Sequence, residues 1–160
     1  MTEQLTQEPE RNPEQLWVAH AQVYRVKDEQ VEFLLIRRVP EDGGFWQPVT
    51  GGIESDEKIR DAVLREVHEE TGLADFLYVS DVLHRTHWLH ERSGRKATDL
   101  VHAIEVAATV EVALSDEHDD YLWLPFERAI EQLHFDGNQE SMRIVYTHIL
   151  ERLTQQEAAA

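Results

Sequence analysis

Between Gly51 and Leu73 the chain sets two glycines, a run of carboxylates and one arginine at offsets that leave little freedom in how the segment folds. It reads Gly51, five residues, Glu57, seven residues, then Arg65-Glu66-Val67-His68-Glu69-Glu70-Thr71-Gly72-Leu73. Lys58 to Thr71 contains no Gly or Pro and repeats Ile59, Ala62, Val63 and Val67 at helical spacing. That pattern predicts an amphipathic helix with one face on a core. Ser55 and Asp56 are positioned to cap its start, and Gly72 stands where helices commonly end in a left-handed residue.

On such a helix Glu66 lies one turn before Glu69 and Glu70, so three carboxylates gather along one flank. Two carboxylates about 4 Å apart repel by roughly 4 kcal/mol at a near-surface dielectric, and a third adds to this. A hard divalent cation removes the repulsion. Mg²⁺ takes oxygen ligands, keeps several waters and is completed by substrate phosphates, and Mn²⁺ fits the same donors. The plain alternative is the solvated face of a Glu-rich helix. The register of Gly51, Glu57, Arg65 and Gly72 with the glutamates favours the metal site.

With all of these positions filled, the segment resembles the signature of the Nudix hydrolase family. The preceding Phe45-Trp46-Gln47-Pro48-Val49-Thr50-Gly51-Gly52 is similar to the matching strand of bacterial dihydroneopterin triphosphate and dATP pyrophosphohydrolases, which have serine in place of Pro48 and Gly52. The region from Phe135 to Ile149 resembles the same enzymes. The resemblance implies an α/β fold, the Nudix α/β/α sandwich, with a mixed sheet flanked by helices in one domain. It implies that Glu66, Glu69 and Glu70 bind Mg²⁺ together with the Gly51 carbonyl, and that Arg65 holds the glutamates. It assigns Glu57 to orient Arg65, against the simpler reading of a negative charge at a helix N-terminus. The loop before Tyr121-Leu122-Trp123-Leu124 is similar to one that supplies a further glutamate, so Glu117 is expected as an extra metal ligand or base. Asp116, Asp119 and Asp120 are expected as solvated charges and His118 as an exposed loop histidine.

The implied reaction is hydrolysis of a pyrophosphate bond. The leading substrate is dihydroneopterin triphosphate or a (deoxy)nucleoside triphosphate, cleaved to a monophosphate and pyrophosphate. The alternatives are a dinucleoside polyphosphate hydrolase and a noncatalytic nucleotide-sensing module. Around the site, Arg37 is the arginine of the Arg37-Arg38 pair favoured to reach phosphate, Trp46 offers a flat ring to a base or pterin, and Gln47 belongs to the same substrate-binding strand. His84, His87 and His90 do not read as zinc ligands, because His84 and His87 fall on opposite faces of a strand.

The rest of the 160 residues reads as one domain over 17–153, between a flexible acidic tail at 1–16 and a flexible tail at 154–160. Strands are expected at Trp17–Arg25 and Val31–Val39, joined as a hairpin, then at Tyr78–Leu89, Leu100–Val112 and Tyr121–Leu124. Helices are expected at Phe126–Leu133 and Gln139–Leu153. A formal charge of −17 argues against a nucleic-acid partner, and no apolar run is long enough for a membrane span. With no cysteine and no leader pattern, the expected compartment is the cytoplasm. The expected partner is a small nucleotide or pterin polyphosphate, and homodimers are common in the family.

Overall fold

The computed structural model describes residues 11, 12 and 14–160, so most of the expected N-terminal tail lies outside the described residues. Strand β1 (Leu16–Lys27) turns tightly into β2 (Gln30–Arg38), an antiparallel hairpin with Tyr24 opposite Phe33 and Lys27 opposite Gln30. Asp28 and Glu29 at its tip both have positive φ, 52° and 65°, the arrangement whose twist matches that of the flanking strands. A 3₁₀ turn at Pro40–Asp42 leads to β3 (Trp46–Gln47) and β4 (Val49–Gly52), which pair with β2 and β1 respectively.

Helix α1 (Ile59–Thr71) follows, then β5 (Tyr78–Val79), β6 (His84–His90), β7 (Arg95–Glu105) and β8 (His118–Pro125). Helices α2 (Phe126–Gln132) and α3 (Asp136–Ala159) complete the chain. Among the described residues, the eight strands form one mixed sheet in which β1 runs parallel to β7 and every other pairing is antiparallel.

The two-residue period of β1 builds two cores. Ala19, Ala21 and Val23 pack with Ala62, Val63 and Val67 of α1, while Tyr24 on the opposite face packs with Phe33, Ala129, Met142, Val145 and Ile149 under α2 and α3. One sheet covered by helices on both sides is the α/β/α arrangement expected from the sequence.

Several boundaries differ. The expected strand Tyr78–Leu89 is broken into β5 and β6, because the chain from Val79 to His84 is longer than the stretch of β7, Val101 to Ile104, that it faces. Ser80 bridges the break, its hydroxyl accepting from Ala103 N at 2.8 Å. The expected strand Leu100–Val112 begins earlier, at Arg95, and its ladder stops at Glu105. Val110, Val112 and Leu114 then cover the α1 core as irregular chain tied to the end of α1, with Ala113 N bonded to Thr71 O at 2.8 Å. Apolar composition there reflects burial without pairing. Lys58 is the N-cap of α1, and no side chain caps it, so neither Ser55 nor Asp56 has the expected role. Gly72 ends the helix at φ 73° as expected. Residues 154–159, expected as a tail, continue α3.

Candidate active site

Gly51 sits on β4 opposite Ala19, on the face of the sheet that α1 covers. Glu66 occupies the space beside it, so that a Cβ on Gly51 would fall 2.0 Å from the Glu66 carboxyl carbon. The glycine is therefore required by the carboxylate, which is buried at 8% exposure. Burial raises the Glu66 carboxyl above the ordinary carboxylate range in spite of its hydrogen bond from Arg65, and Glu69 and Glu70 push it the same way.

Arg65 ties the cluster together. Its Nε and Nη2 donate to the two oxygens of Glu57 at 2.7 and 2.8 Å, and Nη1 donates to Glu66 at 2.8 Å and Glu69 at 3.2 Å. Nη2 also reaches the Gly52 carbonyl at 3.0 Å. The loop before α1 thus folds back to place Glu57 against Arg65, which holds the Glu57 carboxyl below its ordinary range. Arg11, expected in a loose tail, donates from Nη1 to Glu54 O at 3.0 Å and from Nη2 to Glu57 O at 2.6 Å, bracing the same loop.

Glu70 has a separate set of partners. Ser115 Oγ donates to its Oε2 at 2.7 Å, and His118 Nδ1 lies 2.7 Å from the same oxygen. Burial pushes the Glu70 carboxyl up, but His118 and Ser115 outweigh it and hold the group below its ordinary range. Glu117 is exposed at the rim, and Glu70, Glu117 and His118 each bring one donor atom within 4.8 Å of the others. Among the described residues Glu66 and Glu69 fall outside that group and gather instead on Arg65.

His118, expected as an exposed loop histidine, is buried at 5% exposure. Counting back in twos along β8 from Trp123, which packs on the α1 core, puts Asp119 and not His118 on that face. A register shift against Arg37 and Arg38 reverses the parity. Neither His118 nor Ser115 was identified as a site residue from sequence, and period alone could not find them. Asp116, Asp119 and Asp120 are exposed as expected.

Arg37 and Trp46 face each other across β2 and β3, with the guanidinium carbon 5.5 Å from the ring centre. Arg37 Nε donates to Asp119 of β8 at 2.7 Å, so the cation is already neutralised by a carboxylate. Trp46 is half-buried against the α2/α3 core. Gln47, expected to face substrate, is buried with its Nε2 3.1 Å from His118 Nε2. Its place in the strand points it at the histidine that braces Glu70.

The sequence matches the NUDIX domain over residues 16–147. The chain belongs to the Nudix hydrolase family. Among curated relatives, this Nudix chain is 30% identical over 123 residues to the rat asymmetrical bis(5'-nucleosyl)-tetraphosphatase, covering 74% of the chain and 81% of the relative. It is 29% identical over 119 residues to nucleoside triphosphatase NudI of Escherichia coli, covering 66% and 79%. An octanoyltransferase of Myxococcus xanthus is 34% identical over 121 residues, covering 76% of the Nudix chain but only 34% of that protein. The fold is shared with a Caenorhabditis elegans Ap4A hydrolase in a binary complex, with TM-score 0.75, 21% identity and coverage of 85% and 98%. It is also shared with the E. coli dihydroneopterin triphosphate pyrophosphohydrolase, with TM-score 0.69, 20% identity and coverage of 81% and 95%. No helix among the described residues is long and apolar enough to cross a membrane.

Proposed function

We propose that this chain is a Mg²⁺-dependent pyrophosphohydrolase, with Mn²⁺ able to substitute, that splits a triphosphate into a monophosphate and pyrophosphate. Dihydroneopterin triphosphate and the (deoxy)nucleoside triphosphates are the substrate class. The observation that carries this reading is Glu66, buried against a glycine whose missing Cβ makes room for it and held by Arg65 beside Glu70. A carboxylate that burial, and to a lesser degree Glu69 and Glu70, disfavour in its charged form suits a hard cation with oxygen ligands.

Glu66, Glu69, Glu70 and the Gly51 carbonyl would hold the cation, with exposed Glu117 at its open side and buried His118 bracing Glu70. When bound, it supplies charge neutralisation on the polyphosphate oxygens and a more acidic water. Arg65 keeps Glu66 and Glu69 fixed, which is the part a planar guanidinium fork performs well. Glu117, exposed at the rim, accepts the proton as the water oxygen bonds to phosphorus and the bridging P–O bond breaks, so that pyrophosphate leaves. Trp46 and Arg37 take no part in this reading, because both lie on the α2/α3 face of the sheet, opposite Gly51 and Glu66. The likeness to nucleoside triphosphatase NudI supports the triphosphate class.

The test is a Mg²⁺-dependent screen over dihydroneopterin triphosphate, nucleoside triphosphates, dinucleoside tetraphosphates and nucleoside diphosphate sugars, with products separated by chromatography. Pyrophosphate plus a monophosphate from one triphosphate is the expected result. Turnover that survives exhaustive chelation would sink the metal-dependent mechanism. Glu69→Gln should lower turnover by roughly two to four orders of magnitude with little change in melting temperature. Glu117→Gln should lower it less, and an unchanged pH–rate profile in that variant would remove Glu117 as the base. A second reading, dinucleoside polyphosphate hydrolysis, is supported by the likeness to the rat asymmetrical bis(5'-nucleosyl)-tetraphosphatase.

A further inference from the structure

Arg11 touches the carboxylate site from outside the span 16–147 that matches the family. Its Nη1 donates to the Glu54 carbonyl at 3.0 Å and its Nη2 to the Glu57 carbonyl at 2.6 Å. Glu57 is the residue whose two carboxylate oxygens grip Arg65. The guanidinium of Arg11 thus stands behind the backbone that carries Glu57, and the guanidinium of Arg65 in front of its side chain.

The loop from Ile53 to Lys58 joins β4 to α1 and has to bring the Glu57 carboxylate to a guanidinium about two turns into the helix. Inside the loop, Glu57 N donates to Glu54 O at 3.0 Å and Glu54 N to Glu57 Oε1 at 3.2 Å, while Ile53 N ties its start to Trp17 O at 2.9 Å. No side chain caps the helix. The Lys58 carbonyl accepts the first helical bond, from Ala62 N at 2.9 Å, and the Glu57 carbonyl comes one residue too early to take one. Arg11 supplies that donor. A planar fork spanning two carbonyls fixes the orientation of the turn as well as its place, which a point charge does not.

Arg11 is held from the sheet in its turn. Glu14 N donates to Asn12 Oδ1 at 2.9 Å, Gln15 N donates to Asn12 O at 3.0 Å, and Gln15 Nε2 donates to Thr98 Oγ1 on β7. Bonded contacts therefore run from β7 through the segment of Gln15 and Arg11 to Glu57, and from Glu57 through Arg65 to Glu66 and Glu69. Groups that hold a cation have to stand within about 0.5 Å of their places, so slack in the Glu57 loop is felt at the carboxylates.

We infer that Arg11 is a positioning residue for the cation seat, acting through Glu57 and Arg65. The inference rests on the pyrophosphohydrolase reading of the carboxylate site. It carries the support of that site beyond the Nudix signature, to a segment ahead of β1. The plain alternative is an arginine that pins only its own segment. The two differ in whether the effect of Arg11 needs the Glu57 carboxylate.

The experiment is Mn²⁺ binding to the full chain without substrate, read from the loss of the free-ion paramagnetic resonance signal. Wild type, Arg11→Ala, Arg11→Lys, Glu57→Ala and the variant carrying both alanine changes are compared, with thermal melts alongside to show that each is folded. Arg11→Ala should weaken Mn²⁺ binding by about 10-fold, the lower end of what loss of a group behind a metal ligand costs. Arg11→Lys keeps the charge without the fork and should fall between that variant and wild type. With Glu57→Ala already in place, Arg11→Ala should add nothing, because the two residues act in one chain. Undiminished Mn²⁺ affinity in Arg11→Ala, or a loss of the same size with and without the Glu57 carboxylate, would overturn the inference while leaving the cation seat in place. A wild type that binds no Mn²⁺ would remove the seat itself, and the role of Arg11 with it.

Discussion

At the scale of residues, Gly51 against Glu66 leaves the least room for a Cβ of any glycine among the described residues. An alanine there cannot be accommodated without moving the carboxyl group, since its Cβ would overlap the Glu66 carboxyl carbon. Gly51→Ala should therefore reduce kcat/KM by about two orders of magnitude or more, while costing roughly 1–3 kcal/mol of stability from overpacking. Steady-state kinetics beside a urea melt separate the two effects, and an alanine variant with unchanged kinetics would show that Glu66 need not stand there. The motif made Gly51, Arg65 and the glutamates legible in the sequence, because their spacing carries the chemistry. The Glu57–Arg65 pair was legible only as one of two readings, since the loop that folds Glu57 back is not helical and has no period to follow. Ser115 and His118 were hidden for a different reason. One residue of register shift on β8 decides which of His118 and Asp119 faces α1, and nothing local in the sequence marks it.

At the scale of elements, the hairpin between β1 and β2 holds two non-glycine residues in the left-handed region, Asp28 and Glu29. A left-handed conformation costs an ordinary residue roughly 1 kcal/mol, and Asp-Gly is the favoured pair for this turn. Glu29→Gly should then raise stability by about 1 kcal/mol, read as a higher urea midpoint with an unchanged slope. A lower midpoint would mean that the turn is not strained at Glu29. Helix and hairpin positions were legible because each has a period and a stop signal, as Gly72 ends α1 at φ 73°. The apolar run after Glu105 was not, because Val110, Val112 and Leu114 are half-buried by packing on the α1 core without a strand partner among the described residues. The break between β5 and β6 was also hidden, since it depends on the length of the strand it faces.

At the scale of the whole molecule, the sheet buries ionisable groups that set how stability responds to acid. His102 on β7 is 3% exposed, and burial lowers its pKa from 6.5 to about 4. The unfolded chain therefore binds this proton more readily, so the histidine contributes stability that is whole above pH 6.5 and is lost as pH falls toward 4. Between pH 7 and pH 5 the loss should be about 2 kcal/mol. Urea melts of wild type and His102→Gln across that window should converge as the pH falls, and parallel curves would exclude the histidine as the source.

Strand β1 is the member on which the sheet depends, paired with β2, with β4 and, in parallel, with β7 from Leu16–Ala97 to Tyr24–Glu105. During synthesis its hairpin partner β2 is made at once, and β4 and α1 follow, so the carboxylate helix leaves the ribosome well before its platform is closed. One flank of β1 stays unpaired until β7 has been made, and long-range parallel pairing of this kind is slow. Nascent chains stalled before Arg95 should consequently expose an open strand edge and draw on chaperones, and chains stalled after the end of α3 should not.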